Sequence, residues 1–155
     1  MTDNELTRIE KWIGGLLAKV SHVERRKLGR KIGLDLRRSQ SERITVQQNP
    51  DGSSYTPRKK QKRIRSDKGR LKRMRTQMFQ RLKMVSRMHL KTNQDQISIS
   101  FLGKVARVAG VHHYGLKDHV SRNGPEAQYP ARQLLGFSQA DEQLIIASLL
   151  RHLNE

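Results

Sequence analysis

His112 and His113 stand side by side, followed by Asp118, His119 and Asn123. These are residue types that a metal-assisted hydrolase would use as ligands and as a general base. The spacing does not complete a site. Adjacent histidines on a helix point to different sides, so one would pack or hydrogen-bond while the other faces solvent. The next histidine is His152, far down a final helix. No further residue completes a metal-ligand set. The chain has no cysteine, which removes disulfides and thiolate metal sites. The acids show no paired arrangement for general acid–base work, and no glycine loop is built to cradle phosphate. Neither metal nor other cofactor is implied, and no catalytic residue is assigned.

The chemistry that the sequence does advertise is electrostatic. Between residues 58 and 75 lie 11 cations in 18 residues: Arg58, Lys59, Lys60, Lys62, Arg63, Arg65, Lys68, Arg70, Lys72, Arg73 and Arg75, against one acid, Asp67. The run carries +10 of the chain's +18. It has almost no apolar content before Leu71, so at least its first half cannot bury itself. It is read either as a solvated loop or as a segment that becomes ordered on a polyanion or an acidic protein surface. The turn Asn49-Pro50-Asp51-Gly52 introduces it: proline fixes φ, Asn and Asp tolerate tight backbone, and glycine closes the turn. Tyr55-Thr56-Pro57 follows.

A length of 155 residues points to one domain, and a chain of that size buries roughly 70% of its unfolded surface. Apolar residues make up only 34% and aromatics 5%, so the core must be modest. Subunit contacts or a bound polyanion are expected to help hold the basic segment. The net charge of +18 points to nucleic acid, an acidic protein surface, or both. Aromatics are too few and too scattered for single-strand recognition by stacking, so contact with nucleic acid would be to backbone and independent of sequence. The polar N-terminus does not read as a signal peptide and no apolar run reaches the ~20 residues of a membrane span. No membrane partner is expected; the protein is expected to stay in the cytoplasm or enter a particle built there.

The elements that must carry these features give an α+β chain. Residues 3–20 read as an amphipathic helix striped by Leu6, Ile9, Ile13, Leu16, Leu17 and Val20, with Trp12 as a packing residue beside the stripe. Residues 22–46 read as a second helix with Leu28, Ile32 and Leu36 on one face and a Ser21–Glu24 capping box. The two should form a helical hairpin over 3–47, followed by an extended basic loop over 48–70 and an α+β body over 71–155. In that body the spacing predicts a helix over 71–83, a β-hairpin near 85–91 and 96–102, and a helix over 104–114 ended by Gly115. An irregular stretch over 116–128 follows, then a third strand over 133–137 and a final helix capped by Ser138 and Asp141. A continuous helix to residue 90 competes with the first hairpin strand.

Read in order, several motifs resemble a known family. They are Asn49-Pro50-Asp51-Gly52-x-x-Tyr55-x-Pro57-Arg58-Lys59, then Met78-Phe79-x-x-Leu82 and Phe101-x-Gly103-Lys104-Val105. Val111-His112-His113-Tyr114-Gly115-Leu116-Lys117-Asp118 and Tyr129-x-Ala131-Arg132-x-Leu134-Leu135-Gly136-Phe137 complete the set, with Asp141-Glu142 opening the last helix. The ordered set resembles the tail-completion, or virion morphogenesis, proteins of long-tailed bacteriophages, of the gene S product type found in contractile-tailed phages. The likeness covers about residues 4–153. It implies a non-enzymatic structural protein that acts late, at the head-proximal end of the tail, and supports head–tail joining. It implies self-association into a ring, commonly hexameric, and partners among the terminal tube and sheath proteins, the head–tail connector and packaged DNA. It implies a virion location and helices packed on a small antiparallel sheet.

Within that frame Gly103, Gly115 and Gly136 read as backbone devices, and Leu134, Leu135 and Phe137 as core. Arg132 reads as a buried arginine paired with an acid, or else as an interface residue. Asn49, Pro50, Asp51, Gly52, Tyr55, His113, Gly115, Tyr129, Arg132, Gly136 and Phe137 form the structural or interface motif. Two rivals remain open. One is a basic, sequence-independent nucleic-acid-binding protein. The other is a small nuclease using His112, His113 and Asn123, which bear a faint likeness to the HNH nucleases but lack their strand–strand–helix setting.

Overall fold

The computed structural model describes residues 7, 10–15, 18, 20–59, 77–93 and 95–153. Its long axis is helix α1, His22–Thr45. Ser21 caps it, the hydroxyl accepting from the Glu24 amide at 3.3 Å, and Glu24 sits in the first turn where the helix dipole favours an acid. A hairpin lies across this helix. Strand β1, Met88–Thr92, pairs antiparallel with β2, Ile97–Phe101, from Met88 opposite Phe101 to Thr92 opposite Ile97. The Asn93 carboxamide closes the turn, accepting from the amides of Asp95 and Gln96 at 2.9 and 2.6 Å. The alternating spacing of the hairpin therefore wins over a continued helix.

The close approach of hairpin and helix depends on Gly33. A Cβ there would stand 2.6 Å from Leu90 Cδ1. Helix α2, Gly103–Tyr114, follows the hairpin and ends at Gly115, whose φ of 66° is the left-handed cap that glycine adopts without strain. Helix α3, Gln139–Leu153, packs back along α1.

Two apolar clusters result. Leu28, Ile32 and Leu36 of α1 meet Leu149 of α3, with Ile13 and Ile97 packed against them. Ile44, Tyr55, Leu82, Met88, Ala109 and Leu134 form the other, and Ile99 touches both. Ile44 and Leu134 are fully buried, each contributing about 2 kcal/mol of transfer free energy.

Several expectations need correction. Residues 77–84 are turns, not the end of a helix over 71–83, whose first part lies outside the described residues. Phe79 has a φ of 64°, which no α-helix accommodates. The helical spacing of Met78 and Leu82 reflects packing on the core rather than helix. Residues 116–128 are not irregular throughout: β3, Lys117–His119, pairs antiparallel with β4, Glu126–Gln128. Residues 133–137 make no strand, because their backbone groups are taken by side chains. Phe137 is 65% exposed rather than core, and Trp12 is 48% exposed. Residues 10–15 are helical and Ile13 reaches the α1 cluster, whereas the rest of the expected N-terminal stripe up to Leu17 lies outside the described residues.

Candidate functional site at the feet of the basic segment

The described residues on either side of the basic run, 55–59 and 77–79, are both held against the body. The outgoing end starts at the turn. Gly52, at φ 83°, donates its amide to Asn49 O at 3.0 Å, and the Asp51 carboxylate accepts from the Ser53 amide at 2.9 Å. The side-chain hydrogen bond from Ser53 holds the exposed Asp51 carboxyl below the usual range. The chain then doubles back, Tyr55 N donating to Gln47 O at 2.7 Å. Tyr55 is buried and its hydroxyl donates to Gln133 O at 3.2 Å. Burial pushes its pKa up to about 12, against the opposing pull of Arg43.

Arg132 grips the next two residues. Its Nε donates to Thr56 O at 2.8 Å and Nη2 to Pro57 O at 3.3 Å, while Nη1 lies 3.3 Å from His112 Nδ1. Arg132 is only 4% exposed. Its expected acidic partner is replaced by two carbonyls and an imidazole, which suits a planar fork with five donors. Arg58 and Lys59 then stand exposed.

The returning end is held from the same side. The Gln47 carboxamide accepts from Met78 N at 2.9 Å and donates to Met78 O at 3.0 Å. Phe79 sets its ring edge-on to Tyr55, centroids 5.8 Å apart, and to His112 at 4.9 Å; His112 in turn meets Tyr129 at 4.9 Å. Four rings thus tie residues 55 and 79, so the chain between them leaves and returns at one place on the body.

A second buried arginine braces this platform. Arg43 Nη1 donates to Gln133 O at 3.2 Å, and Nη2 to Leu134 O at 3.4 Å, Gly136 O at 3.3 Å and the Gln40 carboxamide. Gln40 accepts from Gly136 N at 3.2 Å and donates to Asp141 at 3.3 Å. Asp141 is 1% exposed and also accepts from Ser39 at 2.5 Å and from the Ser138 amide at 2.9 Å.

Neither histidine of the pair faces solvent. His113 Nδ1 accepts from Leu134 N at 3.2 Å, and His112 stacks within the ring chain. Burial lowers both pKa values; Arg132 and Arg58 lower His112 further, Asp118 opposes them, and Arg43 lowers His113 further. Asp118 instead pairs with Arg107 at 2.5 Å, and His119 meets Gly124 O at 2.9 Å. The nuclease constellation is therefore split among three structural roles.

Of the expected contact residues, only Arg58 and Lys59 are placed; Lys60, Lys62, Arg63, Arg65, Lys68, Arg70, Lys72 and Arg73 lie outside the described residues. The motif residues do converge. Asn49 accepts from Gln133 N at 2.9 Å, Pro50 lies under Gly136, and Gly115 under Ala131, beside Arg132. The sequence reading missed Gln40, Arg43 and Gln47. Gln40 had a signal, since it interrupts an apolar stripe of four-residue steps from Leu28 to Ile44.

The convergence of these motifs can be set beside known proteins. Residues 4–154 match the model of the phage virion morphogenesis family. The chain belongs to that family. It is similar to the tail completion protein S of Escherichia phage P2, 38% identical over 151 residues, which are 97% of this chain and 98% of that protein. No solved structure matches. The match spans both the clamped feet and the basic run between them. A virion-morphogenesis family is an assembly class rather than an enzyme class, in keeping with histidines committed to structure.

Proposed function

We propose that this chain is a tail-completion protein that closes the head-proximal end of a phage tail as a ring and supports head–tail joining. The observation that carries the reading is the double clamp at residues 55–59 and 77–79. It presents a run of +10 from one place on a folded body, with Arg58 and the buried Arg132 making its root electropositive. In a hexamer such runs would surround one axis, where they would meet packaged DNA or the acidic surface of the terminal tube, sheath or connector proteins. About 25 extended residues span up to ~80 Å, enough to cross to a neighbouring subunit. Contacts with DNA would be to phosphate, without base readout.

The test is in vitro completion of tails from a phage lacking this gene. Adding the purified protein should give tails that join heads and form infectious particles, with a closed density at the tail end in electron micrographs. A variant lacking residues 58–68 should fold yet fail to complete tails. Full infectivity from that deletion would remove the basic run from the mechanism. A protein that binds bare DNA tightly and tails not at all would instead be the sequence-independent nucleic-acid-binding protein.

A further inference from the structure

Between β2 and α3 runs a groove of about 540 Å³ that the reading above does not use, with α1 as its floor. The floor is apolar: Leu28, Ile32 and Leu36 follow one another at four-residue steps, and Ile145 and Leu149 of α3 make one wall. The other wall is β2. Ile97, Ser98 and Ile99 line it in succession, and successive strand side chains point to opposite faces, so the strand presents its edge rather than a face. β2 pairs only with β1, so among the described residues that edge has no strand beside it. Sheets protect such edges, and a covering helix is one means. One N-terminal side chain already enters: Ile13 lines the groove and packs on the floor cluster. Residues 10–15 around it are helical, and so is Thr7.

We propose that this groove is the docking site of the chain's own first nine residues, with Leu6 and Ile9 entering beside Ile13. The inference stands whether or not the chain completes tails. The spacing fits: Leu6, Ile9 and Ile13 fall on one helical face at steps of three and four, as the floor residues do. The direction fits as well. Arg25 Nε donates to Val20 O at 3.1 Å and Ser21 caps α1, so Val20 is held at the start of α1 while Ile13 packs on the Leu28 cluster. The residues before Ile13 then run back along α1. Helix from Ile13 to Asp3 covers about 15 Å, the same as helix from Leu28 to Arg38. That course brings Asp3 and Glu5 towards Arg37 and Arg38. The first ten residues carry three acids and one base on a chain of +18, and the exposed side of α1 carries Lys27, Arg30, Lys31 and Arg38, so the two are electrostatically matched. Other occupants fit less well. A phosphodiester backbone offers nothing to an apolar floor. A second copy or another virion protein competes untethered, whereas attachment at Ile13 gives residues 1–9 an effective concentration of about millimolar or above.

The experiment uses the full-length protein with a photo-crosslinking amino acid in place of Ile9, as an equal mixture of nitrogen-15-labelled and unlabelled copies. Illumination should join residue 9 to groove residues of α1 or α3, and mass spectrometry should find both peptides of each linked pair in the same isotope pool. Mixed-isotope pairs would give the groove to a second copy, and a lack of links to the groove would leave it to another occupant; either result overturns the proposal. Because the photo-reactive side chain differs in shape from isoleucine, a second measurement uses natural side chains. Leu6→Asp should lower the urea midpoint by about 1 M and raise the binding of a dye specific for apolar surface severalfold, since one apolar anchor leaves the groove. Asn4→Asp, on the opposite side of the helix, should do neither. An unchanged midpoint for Leu6→Asp, or an equal fall in both variants, overturns the docking face.

Discussion

Two buried arginines sit within one platform and do different work. Arg43 belongs to a helix, and its partners lie in the loop that leads into α3: carbonyls of residues 133, 134 and 136, with Gln40 and Asp141 alongside. Its charge is answered by a buried carboxylate and its hydrogen bonds join two ends of the fold. Arg132 belongs to that same loop, and its partners lie at the foot of the basic segment, at Thr56 and Pro57. Its nearest charged influence is Arg58, a like charge, and the described residues give it no acid partner. One arginine is a brace and the other a grip. The adjacent histidines repeat the division, His113 beside Arg43 and His112 beside Arg132. An electrostatically unanswered grip is costly for the isolated fold, and it keeps the root of the segment attractive to an anion.

The comparison breaks most readily at the brace. Arg43→Met should lower unfolding free energy by about 3 kcal/mol, because it strands Asp141 and four acceptors in the interior. Urea denaturation would show the midpoint falling without a change in slope. A loss no larger than that of Arg132→Met would erase the distinction drawn here. Next comes Gly115→Ala. At φ 66° a Cβ would lie 2.8 Å from Ala131 N, so strain and clash together should cost about 2 kcal/mol and displace the residue next to the grip. Arg132→Met should cost less globally, about 1 kcal/mol, since Thr56 and Pro57 are exposed and their carbonyls can turn to water. Its signature should be local. Hydrogen exchange at residues 55–59 should quicken while that of α1 stays slow. Uniform quickening would make Arg132 a second brace.

The contrast between these regions also marks what was legible from sequence. Elements with a clean period could be read: the four-residue stripe of α1, the alternating Ile97 and Ile99, the glycine stop at residue 115. Regions whose backbone is satisfied by side chains could not. Residues 133–137 have the apolar content of a strand, yet their amides and carbonyls go to Asn49, His113, Gln40, Arg43 and Tyr55. All but the His113 pairing, which spans 21 positions, join residues 78 to 96 positions apart, and no local propensity encodes them. The site was half visible. Tyr55, His113, Tyr129 and Arg132 stood out by type and order, but Gln47 and Arg43 looked like ordinary surface polar residues of a basic helix.

The smallest effect would test the division between the two histidines. Both are held below the usual imidazole range by burial first and by neighbouring arginine second. The unfolded chain therefore binds protons at a higher pH than the folded one, and stability must rise with pH through that window. It is fully present above the unfolded value of about 6.5 and is lost as pH falls towards the depressed folded values. Urea midpoints measured between about pH 7.5 and about pH 5.5 should fall accordingly, with His the only side chain whose ordinary range lies there. His112 faces two cations and His113 one, while Asp118 offsets part of the excess on His112. His112→Phe keeps the ring contacts with Phe79 and Tyr129 but takes the imidazole from Arg132 Nη1, so it should remove the larger share of the pH dependence and cost about 1 kcal/mol at neutral pH. His113→Phe also deprives the Leu134 amide of its acceptor, so it should lower stability at every pH and remove the smaller share. Equal shares would mean that the grip and the brace feel the same field, and that Arg58 exerts no force on the root of the basic segment.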